Sequence, residues 1–231
     1  MRIKSIHTHS DAPGSRAAEY SAVIVALLIA GGSAGCFLYR NYFETGAGLA
    51  SLVIFVVFQW GLPRWLLLRW PVWLRFAASL IALVSVFLGR FFALYTRWPG
   101  FDKSQHLLYG FIFTLLGFSL FLHWIPSDRS GRPTRLAPVL LAASGFSILI
   151  CVVWELFEYI SDRLTGSNMQ SWQDGDLAGL TDTMIDLAFD LAGILLAILL
   201  LTVWKRIRGE QAVLFFQPVR RSSRGRRGTD D

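Results

Sequence analysis

Residues 181–204 read TDTMIDLAFDLAGILLAILLLTVW. From Leu191 to Trp204 the run holds no charge, and at 1.5 Å per residue a helix of this length covers about 36 Å, enough to cross the ~30 Å hydrocarbon core of a bilayer. Into this span run Asp182, Asp186 and Asp190, spaced four apart and therefore on one helical face. A charged group at the centre of a spanning helix costs about 2.5–3.5 kcal/mol on insertion scales. A stripe of three must therefore meet a cation, a proton relay or a polar cavity.

Five further apolar runs extend the reading to the whole chain. Of 231 residues 54% are hydrophobic and 16% charged, with a mean hydropathy of +0.47, which excludes an ordinary soluble domain. The expected spans are Tyr20–Leu38, Ala47–Leu62, Val72–Tyr95, Ser104–Trp124, Ala137–Ile160 and Thr181–Trp204. The second is the shortest and stops at Pro63-Arg64, with an interfacial continuation through Trp65–Trp70. The fold class is all-α: a polytopic membrane protein with six transmembrane helices over 20–204, a polar segment at 1–19 and a basic tail at 205–231 read as disordered. The first run is long enough to remain as a span rather than a cleaved signal. Cys36 and Cys151 both fall in apolar segments and read as small buried hydrophobes rather than a disulfide.

Basic residues set the orientation. Arg2, Lys4, Arg16, then Arg64, Arg69, Arg75, then Arg129, Arg132, Arg135 and eight from Lys205 to Arg227 place seventeen on one side. Arg40, Arg97, Lys103 and Arg163 place four on the other, with Arg90 inside the third span. By the positive-inside rule both termini are cytoplasmic. The basic tail then serves topology or anionic lipid, not nucleic acid.

In this orientation the acids of the last three spans share the outer face. Asp102 and His106 open the fourth span four residues apart; Glu155 and Glu158 lie near the outer end of the fifth, three apart; Asp190 lies about 12 Å deeper than Asp182 along its helix. Asp102 and Asp182 also suit helix caps, and Asp162, Asp174 and Asp176 suit a solvated loop. Capping does not explain groups a turn or more inside a span. Asp102, His106, Glu155, Glu158, Asp182, Asp186 and Asp190 are therefore the candidate metal ligands, for Mg²⁺, Mn²⁺ or Zn²⁺. His106, Glu155, Glu158 and Asp186 are the candidate catalytic groups, and Arg90, near the outer end of the third span, is a candidate phosphate contact. A metal so held would act as a Lewis acid on a phosphate-bearing lipid. The same carboxylates alternatively suit a small proton- or cation-coupled transporter or channel, and a structural role without catalysis is the third reading.

Phe101-Asp102-Lys103-Ser104-Gln105-His106 followed by Gly110 resembles the (Tyr/Phe)-Asp-(Lys/Arg)-x-x-His-x-x-x-Gly signature of the YjdF-like bacterial inner-membrane proteins. Trp154-Glu155-Leu156-Phe157-Glu158-Tyr159 resembles their aromatic-Glu-Leu-x-Glu-aromatic segment, and Gly175-Asp176, Asp182-Thr183, Asp186 and Gly193 their third block. The Asp-Lys-x-x-His start is similar, more distantly, to VanZ-like membrane proteins. The resemblance covers residues 101–200 and implies a multi-pass protein of the bacterial inner membrane with no defined activity. Asp190 stands outside the pattern and rests on its helical spacing.

Overall fold

The computed structural model describes residues 13–66, 68–124, 135–171, 179–216 and 219–220. Its helices are α1 (Pro13–Leu38), α2 (Tyr42–Val56), α3 (Leu62–Trp65), α4 (Val72–Ala82), α5 (Leu94–Arg97), α6 (Phe101–Trp124), α7 (Leu136–Thr165), α8 (Leu180–Arg208) and α9 (Glu210–Phe216). Two π-helical stretches, Val57–Gly61 and Leu83–Phe91, join α2 to α3 and extend α4. Among the described residues six segments are long and apolar enough to cross a membrane: Gly14–Leu38, Tyr42–Trp65, Val72–Phe91, Phe101–Leu122, Leu136–Thr165 and Leu180–Arg208. The six-span all-α architecture expected from hydropathy is present. Both cysteines are free.

The helices outrun the apolar windows at most ends, for local reasons. The second span starts at Tyr42 because Asn41 caps it, its side-chain oxygen accepting from Glu44 N at 3.3 Å. It also continues past Pro63, where the sequence suggested a stop. In the π register the Leu62 N–H bonds to Val57 O, which leaves Phe58 O facing a proline that has no N–H. Trp70 Nε1 donates to that carbonyl at 2.8 Å while its ring stacks on Phe58 at 5.5 Å. The third span ends at Phe91, short of the expected Tyr95, where Ala93 turns the chain at φ 58°.

The chain divides into two compact units, residues 1–97 with 218–231 and residues 98–217. In the first, Ala22, Val25, Ile29, Phe55, Ala82 and Val86 form the core. One polar network is set among its spans: Trp60 Nε1 donates to Glu19 Oε1 at 2.7 Å, Arg75 Nη1 pairs with Glu19 Oε2 at 2.5 Å, and Arg75 Nε donates to Gln59 Oε1 at 3.1 Å. Strands β1 (Leu68–Arg69) and β2 (Val219–Arg220) pair antiparallel.

In the second unit α6 packs on both α7 and α8. The buried residues of α7 recur almost every four positions: Val139, Ala143, Ser147, Cys151, Glu155 and Glu158. Those of α8 are Asp186, Asp190, Gly193, Ile194, Ala197 and Leu201. These inward faces carry small and polar side chains, because lipid tails already satisfy the large apolar ones outside. The α6–α8 crossing is set by two glycines. A Cβ on Gly110 would lie 2.1 Å from Asp190 O, and one on Gly193 2.1 Å from Leu107 O. The Gly110 carbonyl accepts from Thr114 Oγ1 at 2.7 Å and from Ser147 Oγ on α7 at 3.1 Å, which ties the third helix to the same point.

The expectation of a disordered tail from residue 205 is corrected over its first part. Lys205, Arg206 and Arg208 belong to α8, and α9 buries Ala212, Val213 and Phe216. The Phe216 ring packs edge-on against Phe118 at 5.5 Å and Trp204 at 5.6 Å. The sequence signal was the apolar set Ala212, Val213, Leu214, Phe215 and Phe216 within a polar stretch. Residues 221–231, with most of the arginine run, lie outside the described residues.

The glycine crossing gives a direct test. Gly110→Val or Gly193→Val should force α6 and α8 apart and lower stability in detergent by about 1–3 kcal/mol or more, read by thermal or denaturant unfolding. Gly145→Ala, where an added Cβ meets nothing within 4 Å, should leave stability unchanged or raise it by up to about 1 kcal/mol.

Candidate functional site

Asp102 and His106 lie on successive turns at the start of α6, Glu155 and Glu158 in the second half of α7, and Asp182, Asp186 and Asp190 in the first half of α8. Since α6 and α8 begin where α7 ends, all seven fall at one end of the second unit. The glycine contact between α6 and α8 is just below them, so the two backbones converge where His106 must meet Asp190.

His106 is the hub. Its ring is 2% exposed, and Nδ1 stands 3.2 Å from Asp190 Oδ2 and 3.7 Å from Glu155 Oε1. On its other side Nε2 faces Asp102 Oδ1 and Asp186 Oδ1, each at 3.9 Å. The imidazole therefore has an inner carboxylate pair on one edge and an outer pair on the other. Asp190, the residue outside the family-like pattern, makes the shortest of these contacts.

Lys103 fills the outer group. Its Nζ pairs with Asp182, with Asp186 Oδ1 at 2.7 Å and with Asp102 Oδ2 at 3.2 Å. Among the described residues the inner group has no such cation. Neither Asp190 Oδ1, Asp182 Oδ2 nor Asp186 Oδ2 has a hydrogen-bond donor among them, and the Glu155 oxygens, with none at close hydrogen-bond geometry, have only the Thr183 hydroxyl of α8 as a neighbouring donor. Buried polar atoms are nearly always paired, and an isolated buried carboxylate costs several kcal/mol. These orphaned oxygens demand protons or a cation.

Two sets of ligand atoms lie within 4.8 Å of one another among the described residues: Asp102, His106 and Asp186, and His106, Glu155 and Asp190. Around an ion bonded at about 2.0–2.2 Å, ligand atoms sit roughly 3.0–3.5 Å apart. The inner separations of 3.2 and 3.7 Å are near that range, while the outer pair at 3.9 Å is looser. Glu158 and Asp182 belong to neither set. Glu158 is buried and accepts from Trp154 Nε1 at 2.9 Å on its own helix.

Other candidates have local partners. Arg90 belongs to the first unit, where its Nε donates to Glu44 Oε2 at 2.9 Å and its guanidinium lies 5.6 Å from the Phe43 ring centroid. Asp162, read as a solvated loop acid, instead organises the chain leaving α7. It accepts from Ser167 Oγ and Met169 N at 2.7 Å and from Gln170 N at 2.9 Å. Gln170, 6% exposed, then donates to Thr183 Oγ1 on α8 at 2.8 Å. Gly179 packs on Gln170 at φ +82°, a backbone conformation that favours glycine. Asp174 and Asp176 lie outside the described residues.

Sequence reasoning missed two contributors. Lys103 counted as a flanking charge and a signature position but not as a site residue, although its place beside Asp102 in the first turn of a helix was a usable signal. Gln170 gave no signal, because its importance comes from a tertiary contact. Asp162→Ala should release this loop from the start of α8. The expected loss is about 1–3 kcal/mol, seen as a lower unfolding temperature together with faster tryptic cleavage after Arg163.

No curated protein and no solved structure matches the chain. A family model described as a predicted membrane protein, DUF2238, matches residues 18–207, a stretch that takes in the candidate site and nearly all of the six spans. The chain therefore belongs to the DUF2238 family of predicted membrane proteins.

Proposed function

We propose that this membrane protein binds a divalent cation at His106 Nδ1, Glu155 and Asp190, and that the bound ion engages a phosphate-bearing lipid. One observation carries the reading: buried carboxylate oxygens without donors surround a buried imidazole inside spanning helices. One imidazole and two carboxylates suit Mn²⁺, Zn²⁺ or Mg²⁺, and three protein ligands leave coordination positions for an incoming oxygen. With Nδ1 on the ion, Nε2–H points toward Asp102 and Asp186, an outer-shell arrangement that fixes the ring. Asp182, Asp186 and Asp102 then form the approach rather than the ligand set, and Glu158 borders it. A bound ion could polarise a phosphoryl oxygen there.

Several features favour binding or catalysis over conduction. Below Asp190 no Asp, Glu, Lys or Arg occurs in 107–124, 136–154 or 191–204. The same depth is filled by buried Phe118, Val139, Ala143, Ile194, Ala197 and Leu201. At the far end α9 seats Phe216 on Phe118 and Trp204. The polar site is blind. The lipid-phosphate part rests on the N-termini of α6 and α8, whose helix dipoles turn their positive ends toward the mouth. Arg90 enters only through its sequence depth, and since Glu44 already holds it, we assign the phosphate to the ion.

The outward orientation in a bacterial inner membrane rests on the seventeen-to-four basic asymmetry. Likeness to YjdF-like and VanZ-like proteins belongs to the same proposal, supported by the three blocks that supply Asp102, His106, Glu155 and Asp186.

The purified protein should bind one Mn²⁺ per chain in detergent. Glu155→Gln and Asp190→Asn should each weaken binding beyond the roughly 10–100-fold typical of outer-shell changes, with the variants still monodisperse. In nanodiscs containing phosphatidic acid, bound Mn²⁺ should broaden the headgroup ³¹P signal, and the broadening should vanish in Glu155→Gln. A wild-type protein that takes up no divalent ion would end this reading. Uptake without ³¹P broadening would remove the lipid and leave the ion.

A further inference from the structure

The outer carboxylates form a cage with an occupant of its own. Lys103 Nζ touches Asp102, Asp182 and Asp186, which come from two helices. Asp186 is fully buried, and among the described residues its Oδ2, like Asp182 Oδ2, still lacks a donor despite the ammonium nearby. His106 Nε2 faces the same cage from the inner side. This is the atom set, Asp102, His106 and Asp186, whose oxygens and nitrogen lie close enough to share one ion.

We propose that the outer cage is a second divalent-cation site in which the Lys103 ammonium is the resident cation, so that Lys103 holds the centre to a single metal ion. The proposal rests on the inner-site reading only for the total count. An ammonium is a compact point charge with three donors. It satisfies three carboxylates at contact distance, yet it leaves their remaining oxygens open. A divalent ion in its place would bring twice the charge and, with the Nε2 proton released to solvent, would draw the imidazole in as a bridge between two ions. In the native chain Lys103 is 20% exposed and Asp102 23%, whereas His106, Glu155 and Asp190 are 5% or less. The ammonium therefore stands on the solvent side of the inner set.

Metal counting in detergent tests this, with Mn²⁺ quantified by mass spectrometry and by electron paramagnetic resonance. Lys103→Met should raise the count by one over wild type, and the two-ion form should show spin–spin broadening. Lys103→Arg keeps the charge and should keep the wild-type count. Asp186→Asn added to Lys103→Met should return the count to the wild-type value, which separates the cage from an ion on the protein surface. Lys103→Gln carries the same count if the methionine variant is not monodisperse.

One ion in wild type and two in Lys103→Met supports both readings. One in each overturns the second site and leaves the first. None in wild type and one in Lys103→Met removes the inner-site reading and sustains the cage. None in either, a gain in Lys103→Arg, or a gain that survives Asp186→Asn overturns the proposal.

Discussion

Six carboxylates, Asp102, Glu155, Glu158, Asp182, Asp186 and Asp190, enter one end of a three-helix arrangement that offers them one lysine and one histidine. In a medium of low polarity such an excess of negative charge repels itself and loses its hydration. Much of the second unit follows from this constraint. The acids occupy the faces that α6, α7 and α8 turn toward one another, because lipid gives them no other shelter. The surrounding outward faces are apolar, and below the acids the inward faces carry no charge: Cys151, Ser147, Ala143 and Val139 on α7, and Gly193, Ile194, Ala197 and Leu201 on α8.

Bringing those faces together requires close helices. Gly110 and Gly193 let backbones touch where any side chain would separate them. Without that approach Asp190 Oδ2 could not come within 3.2 Å of His106. The loop after α7 acts on the same geometry from the other side, with Asp162 folding it so that Gln170 reaches Thr183 one residue from Asp182. Packing, loop and charge thus meet at one end of the unit, and the acid-rich site is a consequence of all three.

The fold was legible because hydropathy over twenty residues is a strong signal, and every expected span except the third, which overran Phe91, lies within a helical segment. Its ends were less legible. Pro63 reads as a stop, but the π turn and Trp70 carry the helix through it, a repair made by a residue seven positions later in the chain. The candidate site was legible at Asp186, Asp190, His106 and Glu155 through four-residue spacing and burial cost. Lys103 was not, because a basic residue near a span end normally reports topology. Arg90 shows the converse. Depth along a helix was readable, but its neighbour Glu44, forty-six positions earlier, was not. The glycines appeared in the sequence only as motif positions, since a close approach belongs to two helices at once.

Histidine coordination of a bound ion tests the convergence of these helices most directly. Electron spin-echo envelope modulation of the Mn²⁺-loaded protein should show one directly bound imidazole nitrogen, abolished in His106→Gln. Modulation from water protons alone in the wild type would mean that the ion, if any, lies elsewhere, and that the carboxylates do not gather around His106 to hold it.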